Sequence, residues 1–176
     1  MPSPVLIFPG IGNSGPEHWQ SLWEKSNSEF VRISQRDWDN PIREEWVSML
    51  ESTVKRLGPS VVIVAHSLAC LTIAHWAATK HSPIKAALLV AVPDPNSPNF
   101  PSEATGFSSL PTQPFSFPSI VVASTNDPYG SLAHAETCAS AWGSRLVNVG
   151  NVGHINSSSG LGQWPDGYAL LQQLRD

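Results

Sequence analysis

One serine in the sequence stands in a setting fit for nucleophilic chemistry. In Val61-Val-Ile-Val-Ala65-His66-Ser67-Leu68-Ala69-Cys70 a β-branched run stops at Ser67, and an Ala- and Leu-rich helical pattern begins there. Ala65 and Ala69 flank the serine at two before and two after, where a sharp strand-to-helix turn has room only for small side chains. Such a turn lifts a hydroxyl clear of the sheet. That hydroxyl hardly ionises at neutral pH, so it needs a base with a pKa near 7 and a carboxylate to fix the base's tautomer. His154, closing Val149-Gly-Asn-Val-Gly-His154, and Asp127, in Ile120-Val-Val-Ala-Ser-Thr-Asn-Asp127-Pro128, each follow a strand-like run and can fill those roles. Taken singly, Ser67 also reads as a helix cap, Asp127 as a turn residue and His154 as a loop histidine. Together, in the order serine, acid, base after three separate strands, they form a constellation. Asp94 also follows a strand and is the competing acid.

A nucleophilic serine needs donors for the negative charge that its attack creates. The backbone N–H of Leu68, at a helix N-terminus, is one. The loop after the first strand, Pro9-Gly10-Ile11-Gly12-Asn13-Ser14-Gly15, supplies the other, with Ile11 the first candidate and Gly12 the second. Its glycines, Gly10 among them, permit close approach to a substrate. As a phosphate cradle the loop lacks both the GxGxxG spacing and a Walker lysine. Around this edge, His18, Trp38 and Phe107 are candidate pocket residues. His18 and Trp19 read more simply as the packing face of an amphipathic helix, and Trp38 as either wall or packing. His66 is expected to face away from the nucleophile. Cys70 and Cys138 show no metal spacing, and Cys70 reads as a small core residue.

Positioning these groups requires strands that all end on one edge. Apolar runs at Val5 to Phe8, Phe30 to Ile33, Val61 to Ala65, Ala86 to Val92, Ile120 to Ser124 and Leu146 to Val149 read as strands buried on both faces. Between them, Pro16 to Ser26, Pro41 to Leu57, Ser67 to Lys80, Leu132 to Trp142 and Gln163 to Leu174 read as helices. Asn40 is expected to cap the second and Pro41 to open it. Strand and helix alternating throughout imply one three-layer α/β domain over 1–176. It would hold about six mostly parallel strands with helices on both faces and no separate cap domain. The segment from Pro93 to Pro118 breaks the rhythm: it carries seven of the sixteen prolines with Phe100, Phe107, Phe115 and Phe117 interleaved. Its place after a strand's carboxyl end suits a lid or pocket wall, and its composition equally suits a proline-rich surface wrap whose aromatics plug the sheet.

Composition narrows the partners. Ten Lys and Arg against fourteen Asp and Glu give a formal charge of −4, and no basic run is present, which argues against nucleic acid and acidic lipid surfaces. Val61 to Thr79 contains no charged side chain and approaches membrane-spanning length, but its strand-like start and embedded His66 and Ser67 fit a buried strand running into a buried helix. The start, Met1-Pro-Ser-Pro4, has no basic stretch or cleavage-like site, so no export signal is read there. Two cysteines in 176 residues fit a reducing cytoplasm.

Taken jointly, the Pro9-Gly10 loop, Glu17-His18-Trp19, Ala65-His66-Ser67-Leu68, Ser124-x-x-Asp127-Pro128 and Gly153-His154 resemble the compact α/β hydrolases of the YdeN-like group related to retinoblastoma-binding protein 9. The resemblance implies an α/β hydrolase fold and a serine hydrolase with triad Ser67, Asp127 and His154, using no cofactor. It implies little about natural substrates. The triad chemistry predicts hydrolysis of carboxylic esters with small to medium acyl groups, so the expected partners are a small-molecule acyl ester and water. Thioesters and amides are left open, because the triad alone does not select the leaving group. The Leu-x-Cys-x-Glu motif of retinoblastoma binding is absent from the sequence, so that partner is not implied. The alternative is a binding protein that keeps the fold without turnover.

Overall fold

In the computed structural model, which describes residues 1–176, six strands build one sheet in the order β2-β1-β3-β4-β5-β6, every neighbouring pair parallel. They are β1 (Val5–Phe8), β2 (Phe30–Arg32), β3 (Val62–His66), β4 (Ala86–Val90), β5 (Ser119–Ala123) and β6 (Arg145–Asn148). Five helices connect or follow them: α1 (Trp19–Ser26), α2 (Arg43–Leu57), α3 (Leu68–Ala77), α4 (Leu132–Trp142) and α5 (Pro165–Arg175). The strand and helix rhythm of the sequence is thus the fold, with all rather than most strands parallel.

Side-chain alternation divides the apolar strands between two cores. Leu6, Phe8, Ile63, Ala65, Leu89 and Val121 face one layer, where Trp46 and Leu50 of α2, Leu71 of α3 and Cys138 of α4 pack. Val5, Ile7, Val62, Val64, Leu88 and Val122 face the other, against Trp19 and Trp23 of α1 and Leu171 of α5. Strand parity therefore decides which helix each residue meets. α3 is buried almost all round, which accounts for the uncharged stretch around it, and no helix is long and apolar enough to cross a membrane.

The starts of α1, α2, α3 and α5 fall one to three residues later than the sequence expectation. α1 begins at Trp19 rather than Pro16, because His18 caps it: its Nδ1 accepts from the Gln20 N–H at 3.1 Å. α2 begins at Arg43, with Pro41 and Asn40 outside it. A long-range bridge overrides the local signal there: Thr105 donates to the Pro41 carbonyl at 2.9 Å and accepts from the Arg43 N–H at 3.0 Å. Asn40 instead donates its N–H to the Asp37 carboxylate at 2.9 Å.

The same bridge anchors the proline-rich segment, which has no helix or strand of its own. Phe107 is fully buried beside Trp46 and His75, while Phe115 stacks on both Trp142 and Phe117. Asn99 Nδ2 donates to the Pro128 carbonyl at 2.8 Å, and Asp94 N–H to the Tyr129 carbonyl at 2.9 Å, so the segment's start is tied to the loop after β5.

Candidate active site

The chain leaves β1 for β2 on one side and returns to β3 on the other, so a crevice opens beyond the carboxyl ends of β1 and β3. Register then fixes what faces what. Phe8 pairs with Ala65, which brings Gly10, two residues past Phe8, against Ser67, two past Ala65. A Cβ built on Gly10 would lie 2.9 Å from the His66 carbonyl oxygen and 3.1 Å from Ser67 Cβ. Only glycine lets the two loops approach this closely.

Ser67 adopts φ 57° and ψ −122°, a left-handed φ that a non-glycine residue holds only when its surroundings enforce it. Enforcement comes from Ala65 and Ala69, both fully buried, and from the Ser67 N–H, which donates to the Val90 carbonyl at 2.9 Å. At this turn the Ser67 hydroxyl lies 2.8 Å from His154 Nε2. His154 Nδ1 lies 2.9 and 3.0 Å from the two Asp127 carboxylate oxygens. With the Nδ1 proton donated to Asp127, Nε2 is free to accept from the serine. The Asp127 side chain is only 3% exposed and also accepts from the Tyr129 N–H at 3.0 Å. Asp94 is not part of this chain of bonds; its carboxylate accepts from the Asn96 N–H and lies 3.9 Å from His134.

The acid and base loops are stitched together. Ser124 Oγ accepts from the Val152 N–H at 3.1 Å and Asn126 Oδ1 from the Gly153 N–H at 2.8 Å. Behind the base, Trp19 Nε1 donates to the Ile155 carbonyl at 2.8 Å. His66 departs from expectation. Its parity puts it with Val62 and Val64 on the α1 side, where Nε2 donates to the His154 carbonyl at 2.9 Å and its ring lies 4.9 Å from that of His154. Full burial, reinforced by the nearby His154 and His18, pushes the His66 pKa well below the ordinary histidine value. It is therefore a neutral donor holding the base's backbone.

A cavity of about 340 Å3 lies over Ser67. Gly10, Ile11, His18 and Leu68 line it, as the sequence suggests, together with Tyr129 and the Asn156–Ser158 turn, which carry no periodic signal. Three expectations fail. Gly12 offers no oxyanion donor, because its N–H is spent on the Trp38 carbonyl at 2.8 Å. Trp38 packs edge-on to Trp46 and does not line the cavity, and Phe107 is sealed in the core. The wall contributed by the proline-rich segment is instead Pro93, Phe100 and Pro101. The N–H groups of Ile11 and Leu68 make no hydrogen bond within the protein. No group of three or more His, Cys, Asp or Glu side chains is placed to hold a metal ion.

A parallel sheet with a strained serine turn at its carboxyl edge, facing an acid and a base on later loops, defines a serine hydrolase of the α/β hydrolase fold. The chain belongs to the serine hydrolase family, whose model matches residues 5–173. Within it the chain is YdeN-like. It is 31% identical to a YdeN-like hydrolase from Pectobacterium atrosepticum, with a TM-score of 0.86 over 98% of this chain and 90% of that one. The YdeN gene product of B. subtilis is 20% identical, with a TM-score of 0.81 over 98% of each chain. A thermophilic esterase from Thermogutta terrifontis shares the fold at 16% identity, with a TM-score of 0.72 over 99% of this chain and 91% of that one. A search of curated proteins finds no match.

Proposed function

We propose that the protein hydrolyses carboxylic esters with small to medium acyl groups through an acyl-enzyme on Ser67. The observation that carries this reading is the unbroken line from Ser67 Oγ through His154 to Asp127, at 2.8 and 2.9 Å, opening into the cavity. Ser67 Oγ attacks the carbonyl carbon while its proton passes to His154 Nε2. Asp127 keeps the Nδ1 proton oriented and balances the imidazolium. The tetrahedral oxyanion is received by the N–H groups of Leu68 and Ile11, which nothing else in the protein occupies. Collapse expels the alcohol, which takes the proton from His154. A water then gives its proton to the same nitrogen, attacks the acyl-serine, and releases the carboxylic acid with Ser67 restored.

A fluorophosphonate probe applied to the native protein and to Ser67→Ala tests the nucleophile. Labelling of the native protein alone supports the enzyme; a folded native protein that takes no label favours a binding role. For the acid, Asp127→Asn lowers kcat by about three to four orders of magnitude, since the base is left in the wrong tautomer. Asp94→Asn changes it little, and the reverse result overturns the assignment. A cytoplasmic setting is proposed from cysteine usage, and both cysteines are free and buried.

A further inference from the structure

A donor at Ile11 is useful only while its turn is held still. Residues Gly10 to Asn13 form that turn: the Asn13 N–H donates to the Gly10 carbonyl at 3.2 Å, and Gly12 has φ 76°, the left-handed third position that a type II turn requires. Ile11 is the second residue and its N–H is not spent inside the turn, so the turn's orientation sets where that N–H points. The entry is fixed by packing, since Gly10 meets the elbow at Ser67 and lies close to the Leu68 nitrogen. The middle is fixed by the Gly12 N–H on the Trp38 carbonyl. The exit, Asn13 and Ser14, belongs to no strand or helix, and Asn13 itself holds φ 67°.

One arginine grips that exit. Arg32 ends β2, opposite Ile7 in the register, and its side chain is only 19% exposed. Its Nη1 donates to Asn13 Oδ1 at 2.8 Å and to the Ser14 carbonyl at 2.9 Å. Its Nη2 donates to Ser21 Oγ at 2.7 Å and its Nε to Glu24 Oε2 at 2.7 Å, both partners on α1. Ser21 Oγ closes the circuit by donating to the same Ser14 carbonyl at 3.0 Å. Burying most of a guanidinium is costly unless its donors are met. A three-residue edge strand facing one glutamate has no need of it, because a lysine would pair with Glu24 equally well. Joining two acceptors on the loop to two on the helix at once needs the planar fork that only arginine has.

Resting on the ester reading above, we propose that Arg32 is a positioning residue for the oxyanion: by clamping Asn13 and Ser14 to α1, it holds the Gly10 to Asn13 turn in the orientation that presents the Ile11 N–H to the developing charge. Arg32 does not line the cavity and acts only through the loop.

Two variants break the clamp from opposite ends. Arg32→Lys keeps a positive charge for Glu24, but one ammonium cannot span the helix and the loop. Asn13→Gly deletes the loop's side-chain acceptor, suits the left-handed φ and leaves the Arg32 to Glu24 pair in place. Steady-state kinetics on para-nitrophenyl butanoate are read beside the inhibition constant of propylboronic acid, whose tetrahedral adduct on Ser67 sets an oxygen where the oxyanion forms. Urea unfolding of the same preparations checks that each variant is folded. In Arg32→Lys, kcat falls about ten-fold and the boronate binds about ten-fold more weakly, while KM moves less than about two-fold. Asn13→Gly shifts kcat and boronate binding the same way by about three-fold, since Arg32 keeps the Ser14 carbonyl.

An arginine that serves only the fold would lower the urea midpoint and leave kcat and boronate binding unmoved; that result in folded Arg32→Lys overturns the proposal. A raised KM at unchanged kcat overturns it too, because it marks a role in ground-state binding. If the wild type cleaves no ester and Ser67 takes no fluorophosphonate, the ester reading itself falls and takes this one with it. Wild-type turnover with both variants unshifted removes only the role of Arg32.

Discussion

Gly10→Ala isolates the oxyanion arrangement from everything else at the site. Gly10 does not have a left-handed φ, so alanine brings no backbone penalty and the perturbation is purely steric. The new methyl would sit 2.9 Å from the His66 carbonyl oxygen and 3.3 Å from the Leu68 nitrogen. Reaching ordinary contact at 3.4 Å requires the loop and the elbow to separate by about 0.5 Å. Both proposed oxyanion donors flank this contact, Ile11 on the loop and Leu68 on the elbow. A separation of that size stretches one N–H to oxyanion bond beyond the useful range, and losing one such donor costs about 100- to 1,000-fold in kcat. Overpacking costs about 1–3 kcal/mol in stability, which leaves a typical domain folded. Steady-state kinetics on a short-chain ester, with urea unfolding on the same preparation, checks both numbers. The expected result is a kcat lowered by about two orders of magnitude, with KM changed far less because the ground-state carbonyl makes weaker use of those donors. A kcat within about three-fold of wild type in a folded protein would refute the placement of Ile11 and Leu68 around the oxyanion.

Trp19→Phe removes the indole donor to the Ile155 carbonyl and lets the base loop drift; kcat drops about ten-fold in steady-state assays while fluorophosphonate still labels Ser67. Gly167→Ala places a methyl inside the Trp164 indole, so the urea midpoint falls by an amount equivalent to about 2–4 kcal/mol. Stability also declines in acid. Unfolded His18 binds its proton near 6.5 but the folded form only near about 4, so lowering the pH through that window favours unfolding by up to about 3 kcal/mol. His66 adds in the same direction. Urea titrations at pH 7 and near pH 4 measure the loss, and His18→Gln makes it smaller.

Much of the site was legible because its signals are local. The β-branched run ending at Ser67, its alanine flanks, and the strands before Asp127 and His154 are read within ten residues of each group. Strand parity, a period-two signal, assigns His66 to the α1 face because it is the last residue of β3 and not part of the turn. What stayed hidden depends on distant chain. Asn40 and Pro41 carry a sound helix-start signal, but Thr105 captures the Pro41 carbonyl from across the fold. Phe107 and Phe100 belong to one proline-rich segment without periodicity. Nothing local says that the first is sealed beside Trp46 while the second faces the cavity. The same holds for Tyr129, whose ring lies 4.5 Å from His154 yet stands in an irregular loop.

The proline-rich segment is tethered at Thr105, buried at Phe107 and stacked at Phe115. On the proposed mechanism, those anchors predict turnover without a gating motion. Substrate entry and product exit would then wait on no segment motion, and the making and breaking of bonds is expected to set the pace of turnover. An acyl group on Ser67 would then lie open to nucleophiles other than water. Small alcohols or amines are expected to compete for it, giving transfer products alongside hydrolysis.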